Sequence, residues 1–308
     1  MGAEFYSALP ANPPADLALI IDNRELREQI GLTDEDLKKI QSYCLNPNTN
    51  DFDTFAMVYA GHQFGQFVNQ LGDGRGIFLG QTNHDYDLHL KGAGKTPYSR
   101  FGDGRAVLRS SIREYIASEV MNNLNIPSTR AVALFISEEK VLRDSYESSA
   151  VLLRSSQSHI RFGHFEFFHY RNKSKQVKKL ADYAIENYSL FNDSAEDPYV
   201  NFFQKIVQKT AQMISKWQGV GFCHGVMNTD NFSILGETFD YGPYAFMESL
   251  NPEFICNTSD YEGRYRYSNQ PYIGLWNCSA LGEAPVSYTH LRAHETSLHL
   301  VCRLLLEK

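Results

Sequence analysis

The sequence predicts an α+β chain in two lobes, the first rich in strands and the second helical. Three observations carry that prediction. Residues 56–160 string short apolar runs between glycine-bearing turns and interrupt them with one long helical pattern. After residue 160 the periodicity turns helical, most clearly over 198–217. Directly behind that helix comes CHGVMNTDNFSILGETFDYGP, Cys223 to Pro243, a polar and glycine-bearing stretch crowded with metal-binding side chains.

The elements follow in order. AMVYAGHQFGQFVNQLGDGRGIFLG, 56–80, reads as strands joined by tight turns. DYDLHLKGAG alternates at Leu88 and Leu90 before Lys91, which predicts a half-buried strand with the lysine at its end. In AVLRSSIREYIASEVMNNL, Leu108, Ile112, Tyr115, Ile116, Val120 and Leu124 recur at helical spacing, and Glu114 lies within that helix. TRAVALFIS and SAVLLRSS predict two more strands around the polar turn RDSYES. FGHFEFFHYRNKSKQ is read as the crossing between lobes. The next clear helix has Asp197 as N-cap and Pro198 at its first position. It runs apolar through Phe203, Ile206, Val207, Thr210, Ile214 and Trp217, and ends at Gly219. The organisation expected is an N-terminal extension over 1–55, a first lobe over 56–160 and a partial second lobe over 161–284.

Composition excludes several classes. At 308 residues, 43% hydrophobic and 21% charged, the chain has the make-up of a globular enzyme. A net charge of −7 lacks the positive field that nucleic-acid binding requires, and the basic run Arg171–Lys179 reads as a solvated face. Five cysteines without C-x-x-C spacing fit reduced thiols. With no basic leader, no membrane-length apolar run and Tyr6 where a myristoylation motif needs Ser or Thr, the expectation is a cytoplasmic, bacterial-type protein that binds no membrane. His290, His294, His299 and Cys302 suggest a zinc tract. However, Val286–Thr296 matches the translation of a transposase adaptor used in sequencing libraries, so 285–308 is set apart as non-native and the chain is expected to stop short of a natural C-terminus.

The chemistry sits in the Cys223–Pro243 stretch. His224 and Asn231 keep the spacing of the protein-kinase pattern H-R-D-x-x-x-x-N, and Asp240-Tyr241-Gly242 stands for the later Asp-Phe-Gly, but Val226 occupies the position of the base. A valine cannot take a proton from a hydroxyl. The order of glycine turns, strand with Lys91, helix with Glu114, strands, long helix and metal motifs is that of a two-lobed kinase-like fold. In that layout Gly72-Asp73-Gly74-Arg75 folds over phosphates, Glu114 orients Lys91, and Asn231 with Asp240 offers hard oxygens to Mg²⁺. A P-loop is excluded because His89 stands where G-x-x-x-x-G-K-[ST] needs its first glycine, and no G-x-S-x-G elbow is present.

On GHQFGQ, LGDGRGIFLG, LKGAGKTPYSRFGDGRAVLRSSIRE, RFGHFE, HGVMNTDN, DYGP and GRYRYSNQP, the chain resembles the selenoprotein O family from about Met57 to Leu281. Those proteins are pseudokinases that act as protein adenylyltransferases. The resemblance implies a nucleotide inverted relative to ordinary kinases, so that the α-phosphorus faces the acceptor and the loss of a base at Val226 is tolerated. It makes Gly72, Gly74, Arg75, Lys91, Asp103, Gly104, Arg154 and Arg161 nucleotide contacts, pairs Glu114 with Lys91, gives Asp230 the proton-acceptor role, and assigns Asn231 and Asp240 to Mg²⁺ or Mn²⁺. It also implies a substantial further C-terminal region. The expected activity is transfer of AMP from ATP to Ser, Thr or Tyr hydroxyls of proteins. UTP as donor, a non-catalytic ATP-binding scaffold and ordinary phosphorylation are the alternatives.

Overall fold

The computed structural model describes residues 2–47, 51–191 and 197–286, and the chain is α+β as its sequence predicts. The tail histidines and Cys302 lie outside the described residues. Two compact units form. The first holds Gly2–Val58 and Leu71–His159, the second Tyr59–Gln70 and the residues from Ile160 onward.

The first unit opens with strands β1 (Tyr6–Ala8) and β2 (Ala18–Asp22) and helices α1 (Arg24–Gln29) and α2 (Asp34–Leu45). Strands β3 (Phe55–Gln63) and β4 (Gln66–Gly72) form a hairpin whose tip, Tyr59–Gln70, counts with the second unit. Then come β5 (Gly76–Gln81), β6 (Asp87–Lys91), β7 (Ala106–Val107), α3 (Leu108–Asn123), β8 (Arg130–Leu142) and β9 (Tyr146–Ser156). The sheet runs β1-β3-β5-β6-β9-β8-β2, with β4 on β3 and β7 on β9.

Both faces of this sheet are covered. Leu26, Ile30, Leu37, Ile40 and Tyr43, from α1, α2 and the turn between them, bury one face with Leu88, Leu90, Val151 and Leu153. On the other, Leu108, Ile112 and Tyr115 of α3 pack against Ala131, Leu134, Ala150 and Leu152. Each fully buried aliphatic side chain contributes roughly 1.5–3 kcal/mol. The segment read as an extension thus supplies two strands and two helices to the unit. Double coverage also explains a difference at β6. Its alternation predicts a half-buried strand, yet flanked by β5 and β9 it is buried everywhere except Lys91.

Helix α3 differs as well. Ile116, Val120 and Leu124 are 54%, 37% and 44% exposed, and the inner face carries Ser111, Glu114, Ala117, Ser118 and Met121. The polar residues are tolerated because each has a partner: Ser111 Oγ donates to Val107 O at 3.0 Å and Ser118 Oγ accepts from Ala131 N at 3.2 Å.

The second unit contains α4 (Phe162–His169), α5 (Ser174–Asn187), α6 (Pro198–Gly219), β10 (Phe222–Cys223), β11 (Ala245–Phe246) and α7 (Gln270–Val286). The stretch read as a crossing is helix α4. Phe162 to Phe168 are all buried, His164 and Glu166 among them. In α5, Lys175, Lys178 and Lys179 face solvent while Val177 and Leu180 face inward, the solvated face expected there. Helix α6 begins and ends where its punctuation predicts, with Asp197 Oδ1 accepting from Tyr199 N at 2.9 Å and Val200 N at 3.2 Å. Trp217 ties its far end to the polar stretch by donating from Nε1 to Thr238 Oγ1 at 3.0 Å and stacking on His224. Among the described residues no helix is long and apolar enough to cross a membrane.

The cap on α6 gives a simple test. Replacing Asp197 with Ala is expected to lower stability by about 1 kcal/mol, and replacing it with Asn by much less. Urea unfolding of the two variants measures the difference.

Candidate functional site

In the first unit one carboxylate organises two cations. Glu114 Oε2 accepts from Lys91 Nζ at 2.5 Å and Glu114 Oε1 from Arg154 Nη1 at 3.2 Å, with Glu114 and Arg154 buried and Lys91 half-buried at the end of β6. Arg154 Nη2 donates to His89 Nδ1 at 3.1 Å, and His89 Nε2 lies 3.5 Å from Asp73 Oδ2. Burial pushes the His89 imidazole down to about 3, so it is neutral and can accept from the guanidinium. Asp73 in turn accepts from Met57 N at 3.0 Å through Oδ2. The Gly72–Arg75 turn is therefore tied to the Lys91–Glu114–Arg154 cluster through side chains.

The neighbouring loop is stitched to the same turn. Thr96 Oγ1 donates to Asp73 O at 2.7 Å, Ser99 Oγ donates to Gly74 O, and Gly92 N donates to Arg75 O at 2.7 Å. No helix follows Gly94-Lys95-Thr96, in keeping with its rejection as a P-loop. Arg75 is exposed and donates from Nη1 to Arg105 O at 3.3 Å. Gly104 is buried with its carbonyl accepting from Gly94 N. Asp103 is paired with Arg143 at 2.7 Å, which holds its carboxyl below the usual range.

The second unit assembles Arg161, Asp230, Asn231 and Asp240. Asp230 and Asn231 lie in a 3-10 turn, Thr229–Asn231. Arg161 is buried over the rings of Tyr59 and Phe239, donating from Nη1 to Asp230 O at 2.9 Å and to Asp240 Oδ2. Asn231 Nδ2 donates to Val226 O at 3.0 Å, which turns its Oδ1 away as an available acceptor. His224 is also fixed. Its Nε2–H donates to Phe239 O at 2.8 Å and its Nδ1 accepts from Val226 N at 3.3 Å, while burial holds the ring below its ordinary pKa. Val226 is half-buried and uses both backbone groups in this way, with hydrocarbon alone for a side chain.

Asp230 is the unusual member. Its carboxyl is buried, Oδ2 accepts from Gln63 Nε2 at 3.3 Å, and Oδ1 has no hydrogen-bond partner. Burial raises its pKa to about 7 against the opposing pull of Arg161. Gly61 makes this possible, because a Cβ there would stand 2.5 Å from Asp230 Oδ1.

Sequence reading missed the groups that hold the 3-10 turn. Glu166 on α4 is fully buried, accepts from Thr229 Oγ1 at 2.6 Å and contacts His62 Nδ1 at 2.9 Å, while His62 N donates to Thr229 Oγ1 at 2.8 Å. A charged residue amid the phenylalanines of FGHFEFFH is the signal that could have marked it. His89 was noticed only as the residue that spoils a P-loop.

A divalent cation fits the second-unit residues in donor type. Among the described residues no group of three or more His, Cys, Asp or Glu converges on one point. A cation on Asn231 and Asp240 would therefore have two protein oxygens and take the rest of its shell from phosphate and water, as Mg²⁺ commonly does.

Known proteins match this sequence over most of its length. A family model described as "Protein adenylyltransferase SelO" matches residues 1–299, a range that enters the segment set apart as a tail. A "Protein nucleotidyltransferase YdiU" of Marinomonas sp. (strain MWYL1) is 49% identical over 286 residues, covering 91% of this chain and 60% of the relative. Proteins of the same description from Klebsiella pneumoniae subsp. pneumoniae and Vibrio parahaemolyticus are each 49% identical, over 291 and 285 residues, with 60% and 58% of their lengths covered. The chain thus spans about 60% of the length of the curated relatives it matches.

The raised Asp230 pKa predicts a pH-dependent cost of folding. The folded state keeps the proton up to about pH 7 while the unfolded chain releases it near 4, so stability falls as pH rises across that window and levels off above it. With a chelator present, Asp230→Asn should gain stability over the unsubstituted protein by roughly 2–4 kcal/mol between pH 4.5 and 7.5. Urea titrations at the two pH values measure it, and a pH-independent difference contradicts it.

Proposed function

The chain belongs to the Protein adenylyltransferase SelO family, and from that premise we propose that it transfers AMP from ATP to Ser, Thr or Tyr hydroxyls of proteins, with Mg²⁺ or Mn²⁺ held by Asn231 and Asp240. One observation carries the reading. Asp230 keeps an unpartnered carboxylate oxygen beside Asn231, while the position of the kinase base holds Val226.

In this reaction the acceptor oxygen attacks the α-phosphorus, the bond from that phosphorus to the α–β bridging oxygen breaks, and pyrophosphate leaves. The hydroxyl proton goes to Asp230 Oδ1. A buried carboxylate is a stronger base than one in water, and its carboxyl form can later return the proton to solvent. Glu114 holds the Lys91 ammonium and the Arg154 guanidinium in fixed directions, so their charge needs no reorganisation as negative charge shifts onto pyrophosphate. Gly72, Gly74, Arg75, Asp103, Gly104 and Arg161 are assigned to the remaining nucleotide contacts. Arg161, which donates to Asp240, keeps that carboxylate oriented. The divalent cation, when bound, neutralises phosphate charge.

ATP labelled at the α or at the γ position separates this reading from its rivals. The proposal expects α-label on protein, dependent on Mg²⁺ or Mn²⁺. Protein-bound γ-label would mean phosphorylation, no label would mean a scaffold, and α-labelled UTP tests the other donor. Lys91→Ala should reduce AMP transfer on the order of 10²-fold or more, and Asp240→Ala should remove the metal-dependent signal. Unchanged labelling by Asp240→Ala would take that residue out of the site.

A further inference from the structure

Arg264 is a charged side chain that the proposed chemistry does not use. Its backbone is fixed on both sides. Asp260 Oδ1 accepts from Arg264 N at 2.9 Å, Asp260 Oδ2 accepts from Tyr265 N at 2.7 Å, and Asn269 Nδ2 donates to Arg264 O at 2.5 Å. The guanidinium carbon lies 4.9 Å from the centre of the Trp276 ring and 5.8 Å from that of Tyr265. Gly65, at φ +81, closes the remaining side, where a Cβ would come within 3.2 Å of Arg264 Cζ. The group is half-buried, its Nε has no hydrogen-bond partner, and no carboxylate pairs with it among the described residues. Two aromatic rings and a glycine backbone therefore hold a guanidinium whose charge is not neutralised. The rings hold the guanidinium by cation–π attraction, and an anion would supply the charge partner it lacks.

Its position is tied to the base. Consecutive residues at the β3–β4 turn make the connection: Gln63 Nε2 donates to Asp230 Oδ2 at 3.3 Å, Phe64 N donates to Tyr265 Oη at 2.8 Å and to Asn228 Oδ1 at 3.3 Å, and Gly65 lies against Arg264. Tyr265 Oη donates to Asn228 Oδ1 at 2.7 Å, closing the link to the 3-10 turn that carries Asp230. The Cα atoms of Gln63 and Gly65 are at most about 7 Å apart, and with the Gln63 side chain and the two contacts added the guanidinium lies within roughly 20 Å of the Asp230 carboxylate, about six residues of an extended peptide.

Resting on the AMP-transfer reading, we propose that Arg264 is a residue that determines specificity for the acceptor polypeptide, binding the carboxylate of an Asp or Glu within about six residues of the modified hydroxyl. The bond is a charge-assisted hydrogen bond from the guanidinium edge. The acceptors are then proteins whose target Ser, Thr or Tyr lies in an acidic segment.

The test uses three peptides that differ only at the residues flanking one Ser, which are Glu, Ala or Lys. With α-labelled ATP, kcat/KM should favour the Glu peptide over the Ala peptide by tenfold or more and the Lys peptide should be poorest. Arg264→Gln should erase the preference through the KM for peptide while leaving the KM for ATP unchanged, and Arg264→Glu should favour the Lys peptide. Indifference to the flanking residue, or an Arg264→Gln effect confined to the KM for ATP, overturns the proposal and in the second case marks Arg264 as a nucleotide contact. Binding is read separately by the emission of Trp276, which should change on titration with the Glu peptide and not do so in Arg264→Gln. A Trp276 response without any α-label keeps the anion site and rejects AMP transfer. Labelling without a Glu preference or a Trp276 response does the reverse, and the absence of both signals rejects both.

Discussion

Asp230 must stay buried without being neutralised by its neighbours, and much of the second unit answers to that constraint. Gln63 reaches one carboxylate oxygen at a long 3.3 Å and the other has no partner. The nearby Arg161, which could quench the carboxylate with a direct ion pair, instead donates to the backbone carbonyl of Asp230 and to the Asp240 side chain. Its positive charge offsets the cost of burial in part without pairing directly with the carboxylate. Glu166, Thr229 and His62 fix the backbone beneath it, so the turn resists collapse onto the unpartnered oxygen.

In the first unit the buried Glu114 holds two cations at once. Glu114 bridges Lys91 and Arg154, and a neutral His89 takes the second guanidinium nitrogen. The geometry of this cluster depends on α3 presenting a polar face to the sheet where an apolar one would ordinarily lie.

That inversion marks the limit of what the sequence discloses. Helix α6 was legible at both ends because Asp197, Pro198 and Gly219 act locally through the backbone, and its apolar stripe is its buried stripe. The spacing of Lys91 and Glu114 was likewise legible as part of an ordered set. In α3 the apolar stripe and the buried face diverge, since Ser111, Glu114 and Ser118 are buried by partners distant in sequence. Periodicity carries no record of such partners. For the same reason α4 read as a crossing and 1–55 as an extension, since coverage of both sheet faces is a tertiary fact. The structural roles of His89, His62 and Glu166 are not legible in the sequence because each acquires its role from a residue far along the chain.

The central claim is that the proton acceptor has moved from the position of Val226 to Asp230. AMP and phosphate transfer, measured side by side with α- and γ-labelled ATP in Asp230→Ala and Val226→Asp, tests it most directly. Asp230→Ala should lose on the order of 10²-fold or more in AMP transfer with ATP binding nearly unchanged, as removal of a positioned general base requires, and Val226→Asp should gain no phosphorylation. Recovery of γ-phosphate transfer in Val226→Asp, together with undiminished AMP transfer in Asp230→Ala, would contradict the account.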